Sequence, residues 1–182
     1  RARGSSLFPA NFILVAAMNP CPCGNTGTAK PCECAPQHIA RYERRLSGPI
    51  MDRIDLWIEV SKVDYEALAE GVPGAGESAP MRERVRAARD RARERYRSAR
   101  KPIRLNSELG ARELSAYVPL SASVKSMLTK AAPSHGLSAR SFHRMIKLAR
   151  TIADLGGVDE INENHIAEAL TYRPRKLFAR LC

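Results

Sequence analysis

An α/β portion followed by an all-helical portion is the fold class this 182-residue chain predicts, and three observations carry it. The run Phe12-Ile13-Leu14-Val15-Ala16-Ala17-Met18 is continuously apolar, the pattern of a central parallel strand covered on both faces. Residues 71–80 are rich in Gly and Pro and interrupt every periodic pattern. Beyond them, apolar residues recur at steps of three and four, which is helical spacing. The organisation expected is an α/β portion over 1–72, a linker over 73–80 and a helical domain over 81–182.

Each element has its own local reason. Pro20 biases Asn19 away from helical backbone, so Asn19 is expected at the carboxyl end of the first strand, where open α/β sheets bind their ligands. Residues 21–34 are Cys, Pro, Gly and small polar residues and read as a loop. Residues 36–46 read as a short helix with Ile39, Tyr42 and Leu46 on one face. Ser47-Gly48-Pro49 breaks it, Pro49 opens a helical turn, and Leu56-Trp57-Ile58-Glu59-Val60 reads as a second strand. A brief helix is expected over 64–70. In the helical domain Met81, Val85, Ala88, Ala92, Tyr96 and Ala99 place a thin apolar stripe on a long helix over 81–100. Helices over 121–132 and 138–155 follow, the second with Phe142, Met145, Ile146, Ala149, Ile152 and Ala153 on one face. Ser138 can cap it, Gly156-Gly157 suits its end, and Asn162 can cap a last helix from 163 to about 172.

The formal net charge is +11 and the isoelectric point is near 9.9, so the surface should attract polyanions, with nucleic acid the default candidate. Much of the excess lies in residues 82–101, where ten basic residues face only Glu83, Asp90 and Glu94. A solvated basic face is the ordinary reading of such a helix; a salt-dependent grip on phosphates is the functional one. Tyr96 is its only aromatic residue, so base stacking is not indicated. The longest apolar run, 12–18, falls far short of the roughly 20 residues a membrane helix needs, and no charged-then-apolar leader precedes it. A cytoplasmic location without membrane contact is expected.

Cys21-Pro22-Cys23-Gly24 and Cys32-Glu33-Cys34 put four thiols within fourteen residues. Without an export signal, this favours a tetrahedral Zn²⁺ site over disulfides, although the spacing is Cys-x-Cys rather than Cys-x-x-Cys. His38 is a reserve ligand, and Cys182 has no assignment.

Three further segments carry a family resemblance. Asn19 ends Ala16-Ala17-Met18-Asn19-Pro20. Arg53 sits in Gly48-Pro49-Ile50-Met51-Asp52-Arg53-Ile54-Asp55, after Arg45-Leu46-Ser47. Arg140 closes Gly136-Leu137-Ser138-Ala139-Arg140. In that order they resemble sensor 1, the arginine finger and sensor 2 of the magnesium-chelatase-like AAA+ ATPases of the ComM/YifB group. Leu148-Ala149-Arg150-Thr151-Ile152-Ala153-Asp154-Leu155 and Glu168-Ala169-Leu170-Thr171-Tyr172-Arg173 are similar to the group's closing helices.

The resemblance implies the carboxyl-terminal part of an AAA+ α/β core over 1–72, with an incomplete parallel sheet, then a helical lid over 81–182. It implies that Asn19 holds the attacking water against the γ phosphate, that Arg53 reaches into the nucleotide site of an adjacent subunit and that Arg140 meets the nucleotide from the lid. Arg44 and Arg45 rank below Arg53 for the finger. ATP and Mg²⁺ would be bound by the longer parent, a homo-oligomeric ring, hexameric by analogy, coupling ATP hydrolysis to DNA remodelling by branch migration or helicase action in natural transformation. Any zinc would be structural.

Plainer readings stand beside these. Asn19 can simply bond a turn, Arg53 can pair with Asp52, Asp55 or Asp64, and Arg140 can be solvated, its sign being unfavourable in the first turn of a helix. Arg144 and Lys147 share its face and either extend it or solvate it. The only approach to a phosphate loop, Gly24-Asn25-Thr26-Gly27-Thr28-Ala29-Lys30-Pro31, fails in spacing and ending. The chain is therefore expected not to hydrolyse ATP by itself. Starting without an initiator Met and entering an expected buried strand almost at once, it is expected to be a fragment of a longer polypeptide, and the strand order that the resemblance implies would leave it without the phosphate-loop strand between those carrying Asn19 and Leu56. Two rivals remain: the ATPase subunit of a metal chelatase, and a non-enzymatic zinc-containing nucleic-acid-binding module.

Overall fold

The computed structural model describes residues 7–8, 12–46, 48–60, 69 and 78–173. Packing divides the chain into one unit that reaches to Ser47 and another that begins at Gly48. In the first unit the only helix among the described residues is α1 (Pro36–Glu43), opened by Pro36 and burying Ile39. It stops short of Leu46 because the chain tightens at Arg44 and Arg45, whose amides bond to Ala40 and Tyr42.

The second unit contains α2 (Gly48–Met51), α3 (Ser78–Arg95), a 3₁₀ turn (Asn106–Glu108), α4 (Ala111–Tyr117), α5 (Ala122–Ser134), α6 (Ala139–Leu155) and α7 (Glu163–Thr171). Helix α6 is the centre: it packs on α3, α4, α7 and the 3₁₀ turn, while α5 packs on α7. Met145, Ile146, Ala149 and Ala153 recur at helical spacing and are buried with Leu128, Val124, Ile166 and Ala169 in one cluster. Each fully buried Leu or Ile there contributes about 1.5–3 kcal/mol relative to exposure.

The caps read from the sequence form. Ser138 accepts a hydrogen bond from the Ser141 amide at 3.1 Å, and Asn162 accepts one from the His165 amide at 3.2 Å. Gly157 adopts φ +73° and lets the Val158 amide reach back to Ala153 at 2.9 Å, closing α6.

A polar knot is set into this apolar core. Asp154, 2% exposed, accepts from Asn106 at 2.9 Å, Arg95 at 3.0 Å and Arg150 at 3.0 Å. Tyr96 in turn donates to Asn106 at 2.5 Å, and Arg150 donates to the carbonyls of Asp159 and Val158. Burial opposes ionisation of Asp154, but the hydrogen bonds from Arg95 and Asn106 and the charges of Arg150 and Arg95 outweigh it and hold the carboxyl below its ordinary value.

Three expectations need correction. Neither expected strand is found among the described residues: 12–18 and 56–60 have no regular secondary structure, and Phe12, Ile13, Leu14 and Val15 are 67–89% exposed. A strand is held by its neighbours, and no partner strand is found among the described residues. Among the described residues the fold is helical, and the incomplete parallel sheet of the expected α/β core is not seen there. Second, α3 ends at Arg95 rather than 100, because the chain turns at Tyr96 to carry Asn106 and Leu109 into the core. Third, Met81 and Val85 of its apolar stripe are exposed, and only Ala88, Ala92 and Tyr96 are buried. The helix expected over 64–70 lies outside the described residues apart from residue 69, as does most of 71–80, and Cys182 also lies outside them.

Candidate functional site

The candidate residues fall in two places. Asn19 and the four loop cysteines belong to the first unit, Arg53 and Arg140 to the second.

In the first unit the loop folds so that the four Sγ atoms lie within 4.8 Å of one another. Cys21 is 3.4 Å from Cys23 and 3.7 Å from Cys32, and Cys23 is 3.6 Å from Cys32. The turn that starts this arrangement needs glycine: Gly24 has φ +77° and bonds its amide to the Cys21 carbonyl at 3.0 Å. Thr26 donates its amide to Cys21 at 3.4 Å and its hydroxyl to Cys32 at 3.2 Å. Burial opposes ionisation of Cys21, yet the hydrogen bonds from Thr26, Cys23 and Cys32 bring its thiol down to about 5. His38 is exposed and is not one of the clustered ligands.

Asn19 is itself exposed. Its backbone carbonyl accepts a hydrogen bond from Tyr42 of α1 at 3.0 Å. Its amide nitrogen lies 3.5 Å from where a Cβ on Gly24 would sit.

In the second unit the segment that carries Arg53 is clasped to the start of α6, the helix that carries Arg140. Asp52 accepts from the Ser141 hydroxyl at 2.7 Å and from Ser138 at 3.4 Å. Its carbonyl accepts from Arg144, and Arg173 stands 3.7 Å from its carboxylate. Arg144 also pairs with Asp55 at 3.0 Å. The Ser141 hydrogen bond, with the charge of Arg173, the Ser138 hydroxyl and the charge of Arg144, outweighs burial and keeps the Asp52 carboxyl below its ordinary value. A carboxylate at this helix N-terminus also meets the positive end of the macrodipole, offsetting the adverse sign of Arg140.

Arg53 and Arg140 are both exposed. Of the carboxylates expected to pair with Arg53, Asp52 accepts from Ser141 and lies near Arg173, Asp55 pairs with Arg144, and Asp64 lies outside the described residues. Arg144 and Lys147 do not extend the Arg140 face as open charge: Arg144 serves the clasp, and Lys147 donates to the Ser107 carbonyl at 2.9 Å. Sequence reasoning missed Asp52, Ser141, Arg144 and Arg173 as a set. The capping spacing Ser138-x-x-Ser141 was the one visible signal, and it says nothing of which carboxylate will dock.

Helix α3 presents the basic surface. Arg91, Arg93, Arg95 and Arg97 are paired with Asp159, Asp90, Asp154 and Glu94. Arg82, Arg86 and Arg89 are exposed, follow one another at steps of four and three, and have no acidic partner among the described residues.

No helix among the described residues is long and apolar enough to cross a membrane. The family model described as magnesium chelatase, subunit ChlI C-terminal, matches residues 75–173, and that described as magnesium chelatase, subunit ChlI, matches residues 1–68. Over 174 residues, 95% of this chain, the sequence is 42% identical to the competence protein ComM of Haemophilus influenzae, of which it covers 33%. Over the same span it is 38% identical to the uncharacterized protein YifB of Salmonella typhimurium and 33% identical to the uncharacterized protein Rv2897c of Mycobacterium tuberculosis, covering 33% of each. The chain thus spans about a third of the length of the curated relatives it matches. With the helical second unit and the matches to both family models in hand, the chain belongs to the magnesium-chelatase-like family of ComM and YifB.

Proposed function

We propose that this chain is the carboxyl-terminal part of a ring-forming AAA+ ATPase that couples ATP hydrolysis to DNA remodelling, by branch migration or helicase action in natural transformation. In the longer protein ATP and Mg²⁺ occupy the nucleotide site. Asn19 orients the attacking water with an amide that both donates and accepts. Arg53 and Arg140 bring positive charge to the phosphates, a guanidinium offering fork geometry to their oxygens. An arginine finger accelerates hydrolysis by roughly 10³ to 10⁵. The exposed arginines of α3 hold the DNA backbone without reading bases.

The observation that carries this reading is the clasp. Asp52, the neighbour of Arg53, is bound by Ser138 and Ser141, which flank Arg140. A finger that serves an adjacent subunit's nucleotide site and a lid arginine are thus carried on joined segments of one subunit, which supports a shared role better than two unrelated surface charges would.

The test is ATP turnover by the full-length protein, with and without branched DNA, for wild type beside Arg53→Ala and Arg140→Ala. DNA-stimulated turnover should fall by about 10²-fold or more in both, with unchanged thermal unfolding. Unchanged turnover returns both arginines to surface charge. The matching family models are named for magnesium chelatase, which keeps the chelatase subunit as a second reading; stimulation only by a chelatase partner would favour it. No turnover at all in the full-length protein would favour the zinc-containing nucleic-acid-binding module.

A further inference from the structure

We propose that Cys21, Cys23, Cys32 and Cys34 hold a single Zn²⁺ in a tetrahedral thiolate centre, and that this metal positions Asn19. The first half stands on geometry. At a Zn–S distance of about 2.3 Å, the edge of a regular tetrahedron of sulfurs is about 3.8 Å. The sulfurs of Cys21, Cys23 and Cys32 are separated by 3.4, 3.6 and 3.7 Å, and all four lie within 4.8 Å of one another. No pair is at disulfide distance, which is about 2.05 Å. Two of the four, Cys21 and Cys32, also receive hydrogen bonds from Thr26. Donors to sulfur stabilise the negative charge that metal-bound thiolates carry.

The surrounding chain is built for a closed site. Gly24 and Gly27 both take positive φ, +77° and +76°, so the loop turns twice between the Cys21–Cys23 pair and Cys32. Four protein ligands leave no open coordination position, so the centre is structural and supplies no reacting water.

The second half rests on the reading of Asn19 as the water-orienting residue. Two neighbours of Asn19 lie in segments that the metal would tie down. Gly24 follows Cys23 directly, and a Cβ placed on it would stand 3.5 Å from the Asn19 amide nitrogen. Tyr42, which donates to the Asn19 carbonyl at 3.0 Å, is on α1, and α1 begins at Pro36, two residues after Cys34. One ion therefore anchors both the turn and the helix that neighbour Asn19. This stretch has little apolar burial to do the same: Cys21 and Ile39 are its buried apolar residues among those described.

The experiment uses the full-length protein, purified from zinc-supplemented cells. Elemental analysis should return about one zinc per chain, replacement by Co²⁺ should give the intense thiolate-to-metal absorption of a tetrahedral site, and Cys32→Ser should lose the metal. Chelation should raise amide hydrogen exchange over 19–24 and 36–43 by more than about tenfold, leave Ala139–Leu155 unchanged, and be reversed by added Zn²⁺. Where ATP turnover is measurable, chelation should lower kcat and leave KM for ATP in place, because the water and not the nucleotide is affected. No bound metal, iron in place of zinc, or a disulfide among the four cysteines in the purified protein overturns the site. Metal present without any change in exchange around Asn19 overturns the positioning role. Absence of ATP turnover in metal-loaded protein counts against the proposed function alone, since metal content and exchange still decide the site.

Discussion

Asp154→Ala offers the sharpest test of how the second unit is held together. The carboxylate is 2% exposed and receives Arg95, Arg150 and Asn106 at 3.0, 3.0 and 2.9 Å. Removing one partner of a buried charge pair costs about 3–5 kcal/mol, because the charge left behind has no compensation. Two features place Asp154→Ala at the lower end. Arg150 keeps its bonds to the carbonyls of Val158 and Asp159, and Arg95, at 16% side-chain exposure, can take water. The expected loss is about 3 kcal/mol, roughly 100-fold in the folding equilibrium, and a large share of the 5–15 kcal/mol that ordinarily holds a domain. Urea unfolding followed by far-ultraviolet circular dichroism measures it, with Asp154→Asn, which keeps one acceptor oxygen, falling between. The pH dependence supplies a second check. The folded-state pKa of Asp154 lies below its unfolded value of 3.8, so its contribution is fully present above that value and is lost as pH falls below it. The gap between wild type and Asp154→Asn should stay constant from neutral pH to about pH 4 and narrow below. A loss under about 1 kcal/mol at neutral pH would refute the reasoning, by showing that the knot is no stronger than an exposed pair.

Two other outcomes follow from the same contacts. Ser138→Ala removes the cap of α6 and one donor to Asp52; it should cost about 1 kcal/mol in urea unfolding, and no change would mean that Ser141 and solvent replace it. Replacing Arg82, Arg86 and Arg89 together by Ala should weaken DNA binding uniformly across sequences and reduce the slope of log affinity against log salt by roughly 2 to 3, measured by fluorescence anisotropy; an unchanged slope would remove α3 from the interface.

What was readable beforehand tracks how local each cause is. Ser138, Asn162 and Gly157 act on backbone groups within four residues, and the caps appear where the sequence places them. The apolar stripe of α6 is likewise periodic, and its buried face matches. The 3₁₀ turn and α4 have no individual signature in the sequence, since Asn106–Glu108 and Ala111–Tyr117 are too short for a period to show. The strands expected at 12–18 and 56–60 are not seen among the described residues for the opposite reason: an apolar run states that a segment wants covering, and a ladder partner must come from elsewhere.

The candidate site divides along the same line. By itself the sequence determined the family, the identity of Asn19, Arg53 and Arg140 as the residues to examine, the four thiols and the basic stretch, because residue type and short spacing are properties of the chain alone. Only the tertiary structure decided that the four sulfurs converge, that Asp52 docks on Ser138 and Ser141 some 86 and 89 residues away, and that Asp154 is the hub linking Arg95, Asn106 and Arg150. Those choices depend on which of many equivalent carboxylates and guanidinium groups are brought within hydrogen-bond distance when α3, α6 and the 3₁₀ turn pack, and no local pattern ranks one charged residue above another until burial makes an unpaired charge costly.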